Sequence, residues 1–319
     1  MVRPPRPAVS GAPDGDLQAM SDSPERPSIG RPISRLNSLA LVGAFYALAL
    51  ALGALAWVFG PFESVLARAF FADVVATLVV FGGSVAFNNS SMYDPYWSVI
   101  PPALWLGWQL EQGEMTLRGG IVGILVFAWA VRLTLNWARG WTGLTHEDWR
   151  YTDFRPHGAM AYWGVSLAGF HLFPTLLVFL GCLSVELAGR PDAPSVGFID
   201  LIAFAVTTMA IVVETVADEQ LKAFVASKPP RTAFLKSGLW AFSRHPNYFG
   251  ELSFWWGLWL FGFAAHPGAW WTLAGPLSMV ALFVGVSVPM IDARMRKRRP
   301  DYAEHEKKVN AIVPWFPRG

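Results

Sequence analysis

The chain has a single cysteine, Cys182. Without a thiol partner it can close no internal disulfide and build no cysteine-rich zinc site. The six histidines are scattered and show neither His-Glu-x-x-His nor His-x3-His spacing, so the sequence carries no metal-ligand signature. Charge is also scarce, with Asp, Glu, Lys and Arg making up only 15% of the residues. The net charge of +2 comes with no long basic stripe and no nucleic-acid motif, which excludes a nucleic-acid partner.

The chain is instead rich in apolar surface: 53% of its 319 residues are hydrophobic, and the mean hydropathy is +0.36. That is too apolar for an ordinary soluble domain. A hydrocarbon core of roughly 30 Å takes about 20 apolar residues per helix, and such stretches recur at 39–60, 67–87, 97–110, 119–138, 161–187, 197–217, 249–265 and 270–289. The expected fold is all-α, a polytopic transmembrane helical bundle over 37–319. It has eight crossings, or seven if the short third stretch, which holds Pro101 and Pro102, is incomplete. Sixteen Trp and 23 Phe suit such a bundle. An integral multi-pass protein follows, of the bacterial inner membrane or, in a eukaryote, of the endoplasmic reticulum. Residues 1–36, rich in Pro, Ser, Arg and Gly, bury too little to fold alone and are expected to form a disordered cytoplasmic tail.

Cytoplasmic loops carry the excess of Lys and Arg. With both termini inside, 21 of the 25 basic residues fall on the inner side, leaving Arg68, Arg118 and Arg190 outside and Arg132 within a span. The same topology places Ser91–Trp97, His146–Tyr151, Ser243–Tyr248 and the basic carboxyl segment at one face.

Three groups of residues there could carry chemistry. Before the seventh apolar stretch, Pro246 suits a first helical turn, whose free N–H groups beside Arg244 and His245 make an anion site fit for a diphosphate. The same residues, with Tyr248, could equally anchor the chain at headgroup depth. In the sixth stretch Glu214, Asp218 and Lys222 recur every four residues on one helical face. Ionisable groups at membrane depth, Glu214 and Arg132, are functional candidates by default, or simply each other's partners. In the third group Asp94, between Tyr93 and Tyr96, could relay a proton in a shielded pocket or serve as a helix N-cap. The mixed-charge loop of His146, Glu147, Asp148, Arg150 and Tyr151 reads as a solvated loop.

Gly238-Leu-Trp240 followed by Ser243-Arg-His-Pro-Asn-Tyr-Phe-Gly-Glu251 resembles the steroid 5-alpha-reductase superfamily, in its bacterial membrane branch. Asp94-Pro-Tyr-Trp-Ser98, Glu147-Asp-Trp-Arg-Tyr151, Asp301-Tyr302 and Ile312-Val-Pro314 agree, so the resemblance covers roughly 67–319, with the cofactor motif in 214–319. It implies a bundle that holds NADPH in a cytoplasm-facing cavity and reduces the carbon–carbon double bond of a lipophilic, steroid- or isoprenoid-like enone. By the resemblance, Asp94 binds the substrate carbonyl. Asn247, with Arg244, Tyr248 and Glu251, binds the cofactor, joined by Asp218 and Arg132; His245, Glu214 and Lys222, from the anion site and the helical face above, complete the candidate cofactor residues. The family's tyrosine three residues before the arginine is Trp129 here, which leaves Tyr93 or Tyr96 to supply a phenol. A lipophilic small molecule and membrane lipid are the implied partners.

Two other readings stay open. An Arg-His-Pro-x-Tyr element before a helix also resembles the isoprenylcysteine carboxyl methyltransferases, which bind S-adenosylmethionine. A polyphosphate cofactor wants Arg and Lys, whereas a sulfonium wants carboxylates and aromatic faces. The five basic residues between 222 and 244 favour NADPH, while Glu214 and Glu251 keep the second reading alive. A transporter or membrane organiser without enzymatic activity is the third reading, although the chain shows no internal repeat of the kind transporters carry.

Overall fold

The computed structural model describes residues 33–318, and all regular structure among them is helical. Eight long helices form at the eight apolar stretches. They are α1 (Arg35–Phe59), α2 (Val65–Ala86), α3 (Tyr96–Gln112), α4 (Leu117–Gly140), α5 (Ala159–Gly189), α6 (Phe198–Ala226), α7 (Pro246–Ala265) and α8 (Trp270–Arg298), followed by a short α9 (Tyr302–Lys308). Six of them, all but α3 and α7, are long and apolar enough to cross a membrane. The chain is therefore an integral multi-pass membrane protein. Of the tail expected over 1–36, residues 1–32 lie outside the described residues. Its last two already belong to α1, because the Ser34 hydroxyl accepts from the Asn37 N–H and starts the helix there.

Helix boundaries follow local chemistry. Ser64 and Thr116 cap α2 and α4 in the same way, and the Asp200 carboxylate accepts the Gly197 N–H at the start of α6. Gly113, at φ +74°, takes the left-handed conformation that stops α3. Pro101 and Pro102 sit inside α3, which is only 17 residues long. α6 and α8 each run nine residues beyond the apolar stretch that announced them. Their extra turns are amphipathic, which an apolar-run criterion does not register, and they carry Asp218 and Asp292 on rigid helix.

α5 is the most buried of the six spanning helices and forms the centre of the bundle. It is interrupted by a π-helical turn at Ser166–Leu172. α6 and α7 approach closely at Gly250, where a methyl group would stand 2.6 Å from Glu214 Cβ. That contact brings the Glu214 and Glu251 backbones together.

The two ends differ in chemistry. At one end Arg68 pairs with Glu111, Arg118 with Asp200 and Arg190 with Glu186, so each basic residue assigned to the outside is matched by an acid. The loops before α3, after α4 and before α7 meet the carboxyl segment at the other end. Reporter fusions at residues 113 and 192 should accordingly behave as external and fusions at 155 and 230 as internal. Opposite readings at 155 and 230 would remove the shared inner face.

Candidate functional site

The loop before α7 is clasped by the carboxyl end of the chain. Arg244 and His245 donate their backbone N–H groups to the carbonyls of Asn310 and Ala311, and Trp315 N–H donates to Phe242 O. Beneath the clasp, Asp292 of α8 receives three side chains: Arg244 Nη2 at 2.7 Å, His245 Nε2 at 2.9 Å and the Tyr302 hydroxyl at 2.5 Å. Arg244 also donates to Val309 O at 2.7 Å. Its guanidinium, expected to hold phosphate, is thus largely engaged by the chain itself. The sequence reading missed Asp292, although it is the only acid in the basic run from 290 to 299.

Beside the clasp lies a cavity of about 640 Å³ bounded by the 148–150 loop, α6, the 228–235 loop, the start of α7 and the end of α8. Arg150, Lys228, Arg231, Arg244, Arg294, Arg298 and Arg299 line it, against a single carboxylate, Asp148. Burial, reinforced by Lys236 and Arg244, holds the His305 imidazole below its usual range. Burial and Arg298 do the same to Arg299. In both cases the neighbouring positive charge adds to the effect of burial. Asn247 and Tyr248 also line the cavity, and the buried Asn247 Oδ1 has no hydrogen-bond partner among the described residues. A buried acceptor left unpaired is uncommon in folded proteins, and a ligand N–H would complete it.

A second cluster is packed behind α7 and meets the cavity at Asn247, which hydrogen-bonds Asp218. Arg132 of α4 bridges Glu214 at 2.5 Å and Asp218 at 2.8 Å, and Asn136 Nδ2 also donates to Asp218. Glu251 accepts the indole N–H groups of Trp129 at 2.9 Å and Trp255 at 2.8 Å. Trp129, which cannot replace a phenol as proton donor, here orients a carboxylate. Lys222 pairs with Glu219 at 3.1 Å and lines, together with Arg132, Asn136 and Asp218, a groove between α4 and α6.

The third cluster surrounds Asp94. α3 begins at Tyr96 with Pro95 in the capping position and no side-chain cap, so Asp94 is not an N-cap. Its Oδ1 instead accepts the Tyr151 hydroxyl, and Arg150 Nη2 stands 3.7 Å away. Burial raises the Asp94 carboxyl to about 6, against the opposing pull of Arg150 and of the Tyr151 hydrogen bond. The same burial, with Asp94 beside it, keeps the Tyr151 phenol protonated well above its ordinary range.

Tyr93 and Tyr96 do not meet Asp94. Their hydroxyls reach into the bundle, to Thr175 at 2.7 Å and to Asp73 at 3.0 Å. The phenol beside Asp94 comes from the 146–151 loop, which is packed and not merely solvated. Asp148 N–H donates to Ser91 Oγ, and the buried Glu147 accepts from Ser90 N, Tyr162 and Arg155. The adjacency of Asp94 and Tyr151 depends on two loops 57 residues apart, so no local pattern announces it. Arg150 belongs to both the Asp94 cluster and the cavity wall, which makes the two neighbours.

A protein of Schizosaccharomyces pombe described as uncharacterised is 28% identical over 265 residues, covering 74% of this chain and 76% of its own length. No solved structure matches the chain. Residues 80–309 match the family model DUF1295, described as a protein of unknown function, and they hold every candidate residue of the three clusters. The chain, matched over most of its length, belongs to the DUF1295 family.

Proposed function

We propose that the chain is a membrane-embedded reductase that uses NADPH to reduce the carbon–carbon double bond of a lipophilic enone. The observation that carries the reading is the cavity itself, whose lining among the described residues holds seven Arg and Lys side chains and one carboxylate, with Arg244 also held by Asp292 behind it. Anionic phosphates gain charge-assisted hydrogen bonds in such a field, whereas a sulfonium cofactor would be repelled. The carboxylates that could have served S-adenosylmethionine are committed elsewhere, Glu214 and Asp218 to Arg132 and Glu251 to two indoles. The motif resemblance and the relation of this family to the steroid 5-alpha-reductase and isoprenylcysteine methyltransferase superfamily add support.

The residues present fit the cofactor. The basic rim suits the phosphates, and Asn247 Oδ1 offers its unpaired acceptor to an amide N–H. NADPH, when bound, supplies the hydride. Asp94 and Tyr151 supply what the carbonyl oxygen of an enone needs, a proton held ready at a carboxyl and at a phenol beside the cavity. The lipophilic substrate is taken from the surrounding bilayer.

Titrating the purified protein in lipid nanodiscs with NADPH and, separately, with S-adenosylmethionine tests the reading directly. Saturable binding of NADPH alone is expected, and saturable binding of S-adenosylmethionine alone would replace the reductase with a methyltransferase. Arg231, exposed at the rim, is a better probe of phosphate binding than Arg244, whose loss would also loosen the clasp on Asp292. Arg231→Ala should weaken NADPH binding about tenfold, the lower range for a hydrogen bond to a charged group, without lowering the unfolding midpoint.

A pH dependence also follows. An acid raised to about 6 donates a proton only while it holds one. Enone reduction at saturating NADPH should therefore be fastest below pH 6 and decline as the pH rises through it. The decline should vanish in Asp94→Asn, and a wild-type profile flat from pH 5 to 8 would take Asp94 out of the proton path.

A further inference from the structure

We infer that the end of the bundle away from the cationic cavity carries a second ligand site, one that takes a lipophilic alcohol from the bilayer and seats its hydroxyl on Asp73. The site is a slot of about 650 Å³ among α1, α2 and α3, walled by Leu50, Trp57, Leu104 and Leu110, with Asp73 among its lining residues. Asp73 is fully buried within the spanning helix α2. Its Oδ1 accepts the Tyr96 hydroxyl at 3.0 Å, while its buried Oδ2 has no hydrogen-bond partner among the described residues. Acidic groups at membrane depth are costly and face functional cavities as a rule, and a half-satisfied one is an unfilled place for a polar atom.

The other polar groups of the slot have no such need. At its mouth Glu111 accepts from Trp57 Nε1 at 2.6 Å and from Arg68 at 2.7 Å, closing that cluster on itself. The unmet demand is therefore a single oxygen in a mostly apolar chamber whose other charges, Arg68 and Glu111, satisfy each other. Water satisfies it poorly, because a buried water needs two to four polar partners and the slot's lining is mostly apolar. The occupant must be apolar over most of its surface and carry one small polar group. A hydroxyl both donates and accepts, so it pairs with Oδ2 in either protonation state, and it enters hydrocarbon at far lower cost than an ammonium. Access is from the lipid, since Ala54 and Leu106 line the slot and are exposed on the outer surface of the bundle.

The site is independent of the proposed reduction. All of its α1 and α2 lining residues precede the family match at 80–309, and its α3 wall lies within it.

Photolabelling the full-length protein in nanodiscs with a diazirine-bearing long-chain alcohol tests the inference. Mass spectrometry should find adducts on the slot faces of α1 and α3, and the unlabelled alcohol should compete about tenfold better than the alkane of equal length, the preference one hydrogen bond to a carboxyl confers. Asp73→Leu should abolish that preference. Ala54→Trp, a change at a lipid-facing position that fills the slot without touching the core, should abolish the labelling. Equal competition by alcohol and alkane in the wild type, or full labelling of Ala54→Trp, would overturn the site, whatever the outcome of the NADPH titration.

Discussion

Arg132→Ala should be the most damaging single substitution in the bundle, costing roughly 3–5 kcal/mol, the range for removing one partner of a buried ion pair. Arg132 is the common cation of Glu214 and Asp218, and the three side chains are only 13%, 6% and 11% exposed. The loss is expected to be large because of what remains: two carboxylates facing each other across a cavity, with Glu251 held nearby by the close approach at Gly250. Reversible unfolding in mixed micelles measures it. The companion variant Arg132→Met with Glu214→Gln and Asp218→Asn removes the charge along with its partners, and it should recover most of the lost stability, since apolar or neutral replacement of a whole buried pair is often nearly neutral. The same triple variant separates a structural role from a cofactor role. If it folds and binds NADPH like the wild type, Arg132 only holds α4 against α6. If it folds and has lost NADPH affinity, the Arg132, Glu214 and Asp218 cluster takes part in holding the cofactor, as the resemblance implies.

The helices were legible because an apolar stretch of about 20 residues has few alternatives in lipid. Their inner ends were not. α6 and α8 continue past the last apolar residue, and what extends them is amphipathic packing against the 228–235 loop and the carboxyl segment, a tertiary cause. The pairing of Arg132 with Glu214 could be anticipated, because opposite charges at membrane depth seek each other.

The partner of Asp94 could not be anticipated in the same way. Tyr93 and Tyr96 flank it in sequence, yet they lie on structure that turns their hydroxyls inward toward Thr175 and Asp73. A phenol distant in the chain, Tyr151, takes the place they were expected to fill. Arg244 illustrates a further limit. A basic residue before a helix start looks like a phosphate ligand, but an acid 48 residues later, Asp292, claims much of its hydrogen-bonding capacity. The other basic residues of the cavity lining come mostly from segments with no motif, Lys228, Arg231, Arg294, Arg298 and Arg299.

Asp94→Asn should lower the turnover of a lipophilic enone by about 10²- to 10⁴-fold while leaving NADPH affinity largely unchanged, the range for losing general-acid help. Asparagine keeps the size and polarity of the side chain but holds no transferable proton. Its amide can still accept the Tyr151 hydroxyl, so the packing of the 146–151 loop should survive. Tyr151→Phe should be impaired as well, because it removes the second donor and leaves the Asp94 carboxyl with Arg150 as its nearest cation. The two changes should not multiply: when two groups serve one proton, removing either disables much of what the pair does, so the double variant should be little worse than the poorer single one. A helix cap would behave differently, since Asn caps as well as Asp, but the capping position of α3 is held by Pro95, which leaves chemistry as the reason for the acid. Turnover near the wild-type rate in Asp94→Asn, with NADPH still bound, would show that the proton reaches the enolate by another route and that the Asp94–Tyr151 pair serves only to join two loops.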